Sequence, residues 1–237
     1  VVNMAKLNLV RRQNGQKELP VNMNAIFVGN HGIGKRSIAK LTTESLHQIG
    51  YLESDSFIEI NPITIGSSLQ LFASKLNDLS SRNRDCLLYI SDAYKLFAKL
   101  GSNDAINLLY ECASNSQQHF IVVFACNNDE YASLMSMQLS NRQHFNYHVN
   151  FIDLSNDELV NLFKKMLREY DLSLDIQAEI ILIGVVSYMK LANKSFNNFI
   201  SLKDIFDFVV NSIALRAQTS RINLSTVIKE DFNGCLS

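Results

Sequence analysis

Proline is nearly missing from this sequence, standing only at Pro20 and Pro62, and glycine occurs nine times, so little of the chain suits a disordered linker. Long apolar runs are missing as well: no stretch approaches the roughly 18 residues that a helix needs to cross a bilayer. Cysteine is sparse and scattered, at Cys86, Cys112, Cys126 and Cys235, with no Cys-x-x-Cys pair. That excludes a disulfide framework or a zinc ribbon and fits a reducing compartment. Neither charge predominates: 22 basic residues face 23 acidic ones, for a net charge of -1. No global electrostatic attraction therefore points to nucleic acid or to a membrane surface.

What is present is ordinary for a soluble globular protein: 47% hydrophobic and 19% charged residues in a chain of 237, enough for one large or two small domains. The opening Val1-Val2-Asn3-Met4 reads neither as a signal peptide nor as a natural start. The expected location is the cytoplasm.

Apolar runs with strand character fall at Asn24–Val28, Ser56–Ile60, Cys86–Ser91, His119–Cys126 and His148–Ile152. Helical patterns lie between them, near Lys35–Ile49, Ser67–Leu79, Asp104–Ala113 and Glu130–Met137. Strands alternating with helices predict an α/β domain with a parallel five-stranded sheet covered on both faces. After Ile152 the strand signal stops. Ser155 and Glu158 form a capping box that opens a helix to about Tyr170. Helical segments come next near Asp175–Lys190, Leu202–Arg221 and Leu224–Asn233. The expected division is an α/β base over 1–153 and an all-helical remainder over 154–237.

The segment Gly29-Asn30-His31-Gly32-Ile33-Gly34-Lys35 comes after a strand and precedes a helix, the setting of a phosphate-binding loop. Glycines let backbone amides converge on phosphate oxygens, the helix N-terminus adds its positive dipole end, and Lys35 reaches the β/γ-phosphates. The next position calls for a Ser or Thr hydroxyl to ligate Mg²⁺, and here it is Arg36. Ser37 comes one residue late and points about 100° away on a helix. Arg36 cannot hold a cation, although it has the reach to touch a phosphate itself.

The companion carboxylates belong at the end of a buried strand, where Ile90 is followed by Ser91 and Asp92. Aligned on the downstream Ala93-Tyr94-Lys95-Leu96, Ser91 replaces the metal carboxylate and Asp92 the general base. In the register one residue later, Asp92 is the metal carboxylate and Ala93 the base. Either way one carboxylate is absent.

The chain resembles the CbxX/CfxQ family of AAA+ ATPases, which includes red-type Rubisco activases and stage V sporulation protein K. The resemblance is carried by Val28 to Ser37, by Ile90-Ser91-Asp92-Ala93-Tyr94-Lys95-Leu96, by Asp104 to Leu109, by Val122-Val123-Phe124-Ala125, and by the junction Phe151-Ile152-Asp153 with Ser155 and Glu158. It implies the P-loop AAA+ fold, with a sheet in the order 5-1-4-3-2 followed by a helical lid, assembly in a ring, and the plastid stroma as the alternative location to the cytoplasm. ATP or ADP is the implied ligand, held by Gly29 to Ser37, while Mg²⁺ lacks part of its ligand set. Sensor 1 falls at Asn127 or Asn128, and sensor 2 at Lys203 with Arg216 as a substitute. The arginine finger falls at His144 or Arg142, and the pore-loop aromatic at Thr64. His144 and His148 are not expected to form a metal pair, Tyr94 is expected to pack, and Arg11-Arg12 to face solvent. Among these, Asp92 and Arg142 are the remnants of a catalytic set.

Three functions remain open on the sequence. The first is an inactive AAA+ domain that keeps nucleotide affinity and partners an active AAA+ homologue or tandem domain. The second is an atypical active ATPase remodelling a protein client. The third is a scaffold without nucleotide. No basic cluster encourages a nucleic-acid loader.

Overall fold

A computed structural model of the chain describes residues 2–19, 22–81, 85–115, 120–137, 145–192, 196–219 and 224–235. Its contacts divide the chain into two compact units: Val1–Gly29 with Gly34–Phe151, and Asn30–Ile33 with Ile152–Ser237.

In the first unit, β1 (Ala25–Val28), β2 (Phe57–Ile60), β3 (Cys86–Ile90), β4 (Phe120–Cys126) and β5 (Tyr147–Asn150) form one parallel sheet. The strand order is β2-β3-β4-β1-β5, the implied order read from the other edge. The fifth strand starts one residue earlier and ends two earlier than the sequence pattern predicts. His119 lies outside the described residues.

The strands read as continuous apolar runs because helices cover both faces. Ala25, Phe27, Leu87, Tyr89, Ile121 and Val123 point into one core with Ala5 and Leu46, from α1 (Val2–Gln13) and α2 (Lys35–Gln48). Their neighbours Ile26, Val28, Leu88, Ile90, Val122 and Phe124 point to the other face. There they meet α4 (Leu69–Ser81), α5 (Ala93–Leu100) and α6 (Ser102–Asn115) through Phe72, Phe97 and Leu109. Tyr94 packs against this second core, as expected. Two further helices, α3 (Pro62–Ile65) and α7 (Asn128–Ser136), come after β2 and β4.

The second unit contains α8 (Asn156–Arg168), α9 (Ile176–Ala192) and α10 (Phe199–Thr219) around Leu159, Phe163, Leu182, Val186, Ile205 and Phe232. The predicted capping box is present: the Ser155 hydroxyl accepts from the Glu158 amide at 3.2 Å, and the Glu158 carboxylate accepts from the Ser155 amide at 2.7 Å. The unit is not all helical. Strands β6 (Ser173–Leu174) and β7 (Thr226–Val227) pair in parallel. The helix expected over Leu224–Asn233 is replaced by β7 and a 3-10 turn, Lys229–Phe232. β-Branched Thr226 and Val227 favour the strand. The buried Asp231 carboxylate then fixes the turn by accepting from the Ile228 amide at 2.9 Å and from Arg216.

Among the described residues no helix is long and apolar enough to cross a membrane, and no group of three His, Cys, Asp or Glu side chains could hold a metal ion.

Candidate functional site

The glycine loop leaves the end of β1 and enters α2 at Lys35, with Gly34 in the left-handed region at φ 96°. Two glycines are fixed by close approach. At Gly29 (φ 154°) a Cβ would lie 2.7 Å from the Phe151 carbonyl oxygen. At Gly32 (φ 69°) it would lie 2.0 Å from the Asn197 carbonyl oxygen, so no larger residue fits. Lys35 is buried, and its ammonium donates to the Gly29 carbonyl, folded across the two ends of the loop. Backbone amides, the N-terminus of a 14-residue helix and one lysine suit a polyphosphate.

On the metal side of the site, Arg36 stands where a hydroxyl is called for. The Arg36 Nε donates to Glu59 Oε2 on β2 at 2.6 Å, and its guanidinium lies 5.6 Å from the centre of the Phe57 ring. Without nucleotide, the Arg36 charge is thus paired with a carboxylate on the neighbouring strand. Ser37 is exposed on α2.

At the end of β3, the Ser91 amide donates to the Ile60 carbonyl at 3.0 Å, and its hydroxyl lies 3.5 Å from the same oxygen. Asp92 takes the left-handed region (φ 47°) before α5, 3.5 Å from the Lys95 ammonium, which also meets Glu130 at 3.3 Å. Burial pulls the Lys95 pKa down, but Asp92 and Glu130 outweigh it and leave the ammonium held above the ordinary lysine value. Mg²⁺ asks for a near-octahedral set of oxygens. Of the positions Arg36, Ser91 and Asp92, Asp92 alone brings a carboxylate, and the Lys95 ammonium stands against it.

The sensor positions fall on separate elements. Asn127 stands where β4 turns into α7, and its amide donates to Glu130 Oε2 at 3.4 Å. Asn128 is the first residue of α7. Just before them, burial pushes the Cys126 thiol up to about 11, which keeps it protonated and unreactive at neutral pH. Lys203 is exposed on α10. Arg216 makes a two-pronged ion pair with buried Asp231 at 3.1 and 3.0 Å and donates to the Thr226 carbonyl at 2.9 Å. Arg142 and His144 lie outside the described residues. His148 bonds the Tyr131 hydroxyl at 2.9 Å. Arg11 and Arg12 bind the Lys17 carbonyl and the Glu18 carboxylate at 3.0 and 2.7 Å. Thr64 closes a capping box with Asn61 on α3, and beside it Ile63 is 92% exposed.

Two residues that the motif reading did not single out as ligands, Asp153 and Asn198, touch the middle of the loop. The Asp153 carboxylate accepts from Asn30 Nδ2 at 2.7 Å and from Asn198 Nδ2 at 2.8 Å. Asn198 is fully buried at φ 44°, and its Nδ2 also reaches the His31 carbonyl at 3.4 Å. Next to it, the Phe199 amide donates to the Gly32 carbonyl at 3.2 Å. The one sequence signal was an Asn directly before an apolar helix, which marks a helix cap.

A parallel sheet of this strand order, with a glycine loop between β1 and α2 and a buried lysine at its end, defines a P-loop domain of the AAA+ architecture. Residues 25–153 match the ATPase family associated with various cellular activities (AAA), and the chain belongs to that family. Its relatives are of the CbxX/CfxQ kind. Protein CfxQ of Xanthobacter flavus is 24% identical, with 88% of this chain and 69% of that protein covered. Stage V sporulation protein K of Bacillus subtilis is 24% identical, covering 96% and 74%. The chloroplastic ribulose bisphosphate carboxylase/oxygenase activase of Cyanidioschyzon merolae is 22% identical, covering 84% and 69%. Among solved structures, the RuvB Holliday junction branch migration motor of Thermotoga maritima shares the fold at a TM-score of 0.59 and 13% identity. The likeness covers 97% of this chain and 64% of RuvB, so the chain spans less than two thirds of that protein.

Proposed function

We propose that this chain is an AAA+ domain that binds ATP or ADP without hydrolysing it. It serves as the inactive member of an assembly with an active AAA+ homologue or tandem domain, acting on a protein client. The observation that carries this reading is the fate of the metal side. Arg36 occupies the position of the Mg²⁺-binding hydroxyl and is paired with Glu59, while the strand that should end in two carboxylates ends in Ser91 and in an Asp92 held by Lys95. Loss of a general base alone typically costs about 10²–10⁴-fold in rate, and here the supports of the ion are lost with it.

The phosphate side supports the binding half. Its glycines and Lys35 are retained, and their contacts to phosphate need no metal. The test is ATP turnover with Mg²⁺, compared with Lys35→Ala. The expected rate is indistinguishable between the two, while ADP still binds the unaltered chain in EDTA. Turnover that disappears in Lys35→Ala overturns the inactive reading, and absence of any nucleotide binding overturns the binding half. Co-purification with an AAA+ protein of the same source tests the assembly. A chain that stays alone with every such protein removes that part.

A further inference from the structure

The middle of the phosphate loop is tied down by residues far away in sequence. Asn30 to Ile33 group with the second unit, and the ties are specific. Asn198 uses its whole amide: Oδ1 accepts from the Leu154 amide at 3.1 Å, while Nδ2 donates to Asp153 at 2.8 Å and reaches the His31 carbonyl at 3.4 Å. Asp153 uses its other oxygen for Asn30 at 2.7 Å. A fully buried Asn in the left-handed region pays a conformational cost that few residues other than Gly and Asn tolerate. Its three polar contacts offset that cost.

The chemistry of these ties has a direction. The partners on the loop are the carbonyls of His31 and Gly32 and the side chain of Asn30. A phosphate cradle uses the opposite groups, the backbone amides. Fixing a peptide plane by its carbonyl fixes its amide on the other edge. We infer that Asn198, braced by Asp153, is a positioning residue for the phosphate loop: it holds the His31 peptide so that the amides of the loop are set for a nucleotide phosphate. This rests on the reading of the loop as a nucleotide site.

A reciprocal exchange separates positioning from simple support. Asn198→Asp alone sets two carboxylates against each other and lowers both the melting temperature and ADP affinity. Adding Asp153→Asn restores a donor and acceptor between positions 153 and 198, and the bonds to Asn30 and to the Leu154 amide survive. Only the donor to the His31 carbonyl is lost, because position 198 now carries two acceptors. The double variant is therefore expected to regain part of the melting temperature lost in Asn198→Asp, short of the unaltered chain because its carboxylate is buried at position 198. Its ADP affinity should stay about 3- to 10-fold weaker than that of the unaltered chain, the worth of one net hydrogen bond. Amide hydrogen exchange over residues 30–33 should be faster in the double variant. Recovery of affinity together with stability overturns the inference. If the unaltered chain binds no ADP, the nucleotide reading fails on its own, and exchange decides the positioning claim: unchanged protection of residues 30–33 overturns it, and faster exchange upholds it.

Discussion

At the scale of single residues, the site is defined by charges that cancel. Arg36 brings a positive charge to the first turn of α2, where a nucleotide phosphate would benefit from it, but Glu59 neutralises it at 2.6 Å. Both side chains are partly exposed, so the pair is worth about 1 kcal/mol or less. It still sets where the guanidinium points. Glu59→Gln keeps the shape and removes the opposing charge. The expected result is ADP binding that is about two- to fivefold tighter at low salt, matching a surface pair of that strength, with the gain lost in high salt. Titration calorimetry at two ionic strengths reads it. An unchanged affinity would show that Arg36 lies beyond electrostatic reach of the bound phosphates. The glycine loop before Lys35 and the arginine after it were legible in the sequence as residue identities. The pairing with Glu59 was not, since it joins residues 23 apart through the sheet.

At the scale of elements, the N-terminus of α8 is the best-defined local feature. Its capping box satisfies orphan amides by side chains of the same turn, and Asp157 and Glu158 stand at the positive end of the helix dipole. Ser155→Ala should cost about 1 kcal/mol in thermal unfolding. The bond from the Ser155 amide holds the Glu158 carboxyl below its ordinary value of 4.5. A depressed carboxyl contributes stability above its unfolded value and loses it as pH falls through the folded one. The capping contribution of Glu158 should therefore fade below pH 4.5, and Glu158→Gln should flatten the dependence of the melting temperature there. An equal pH slope in both proteins would refute it.

Elements of this length and periodicity were legible: the buried strands as apolar runs, and α8 from its cap. Three features were not. Helix α5 starts two residues after β3, with the left-handed Asp92 between them and no linker to mark the boundary. The pair β6–β7 joins strands of two residues each, too short for any period and paired across 53 positions. Asn198 takes its role from contacts 44 and 167 residues away.

At the scale of the whole molecule, the described residues form separate hydrophobic cores. Two line the faces of the sheet in the first unit, and one lies among α8, α9 and α10 in the second. Units with their own cores need not unfold together. Phe124 and Phe163 are both fully buried, the first in the sheet and the second among the helices. Replacing a buried Phe by Ala costs about 3–5 kcal/mol. Calorimetry should show two transitions, one lowered selectively by Phe124→Ala and the other by Phe163→Ala. Lys35 belongs to the unit that holds Phe124, so the part of nucleotide binding that depends on this lysine is read on that transition. ADP at 100 times its dissociation constant stabilises a binding-competent fold by about 2.7 kcal/mol. The transition sensitive to Phe124→Ala should rise accordingly in EDTA, and Lys35→Ala should abolish the rise. A shift that strictly requires Mg²⁺ would mean that the ion finds ligands despite Arg36 and Ser91, and the inactive reading would fall with it. A single transition lowered equally by both Phe variants would instead show one cooperative unit.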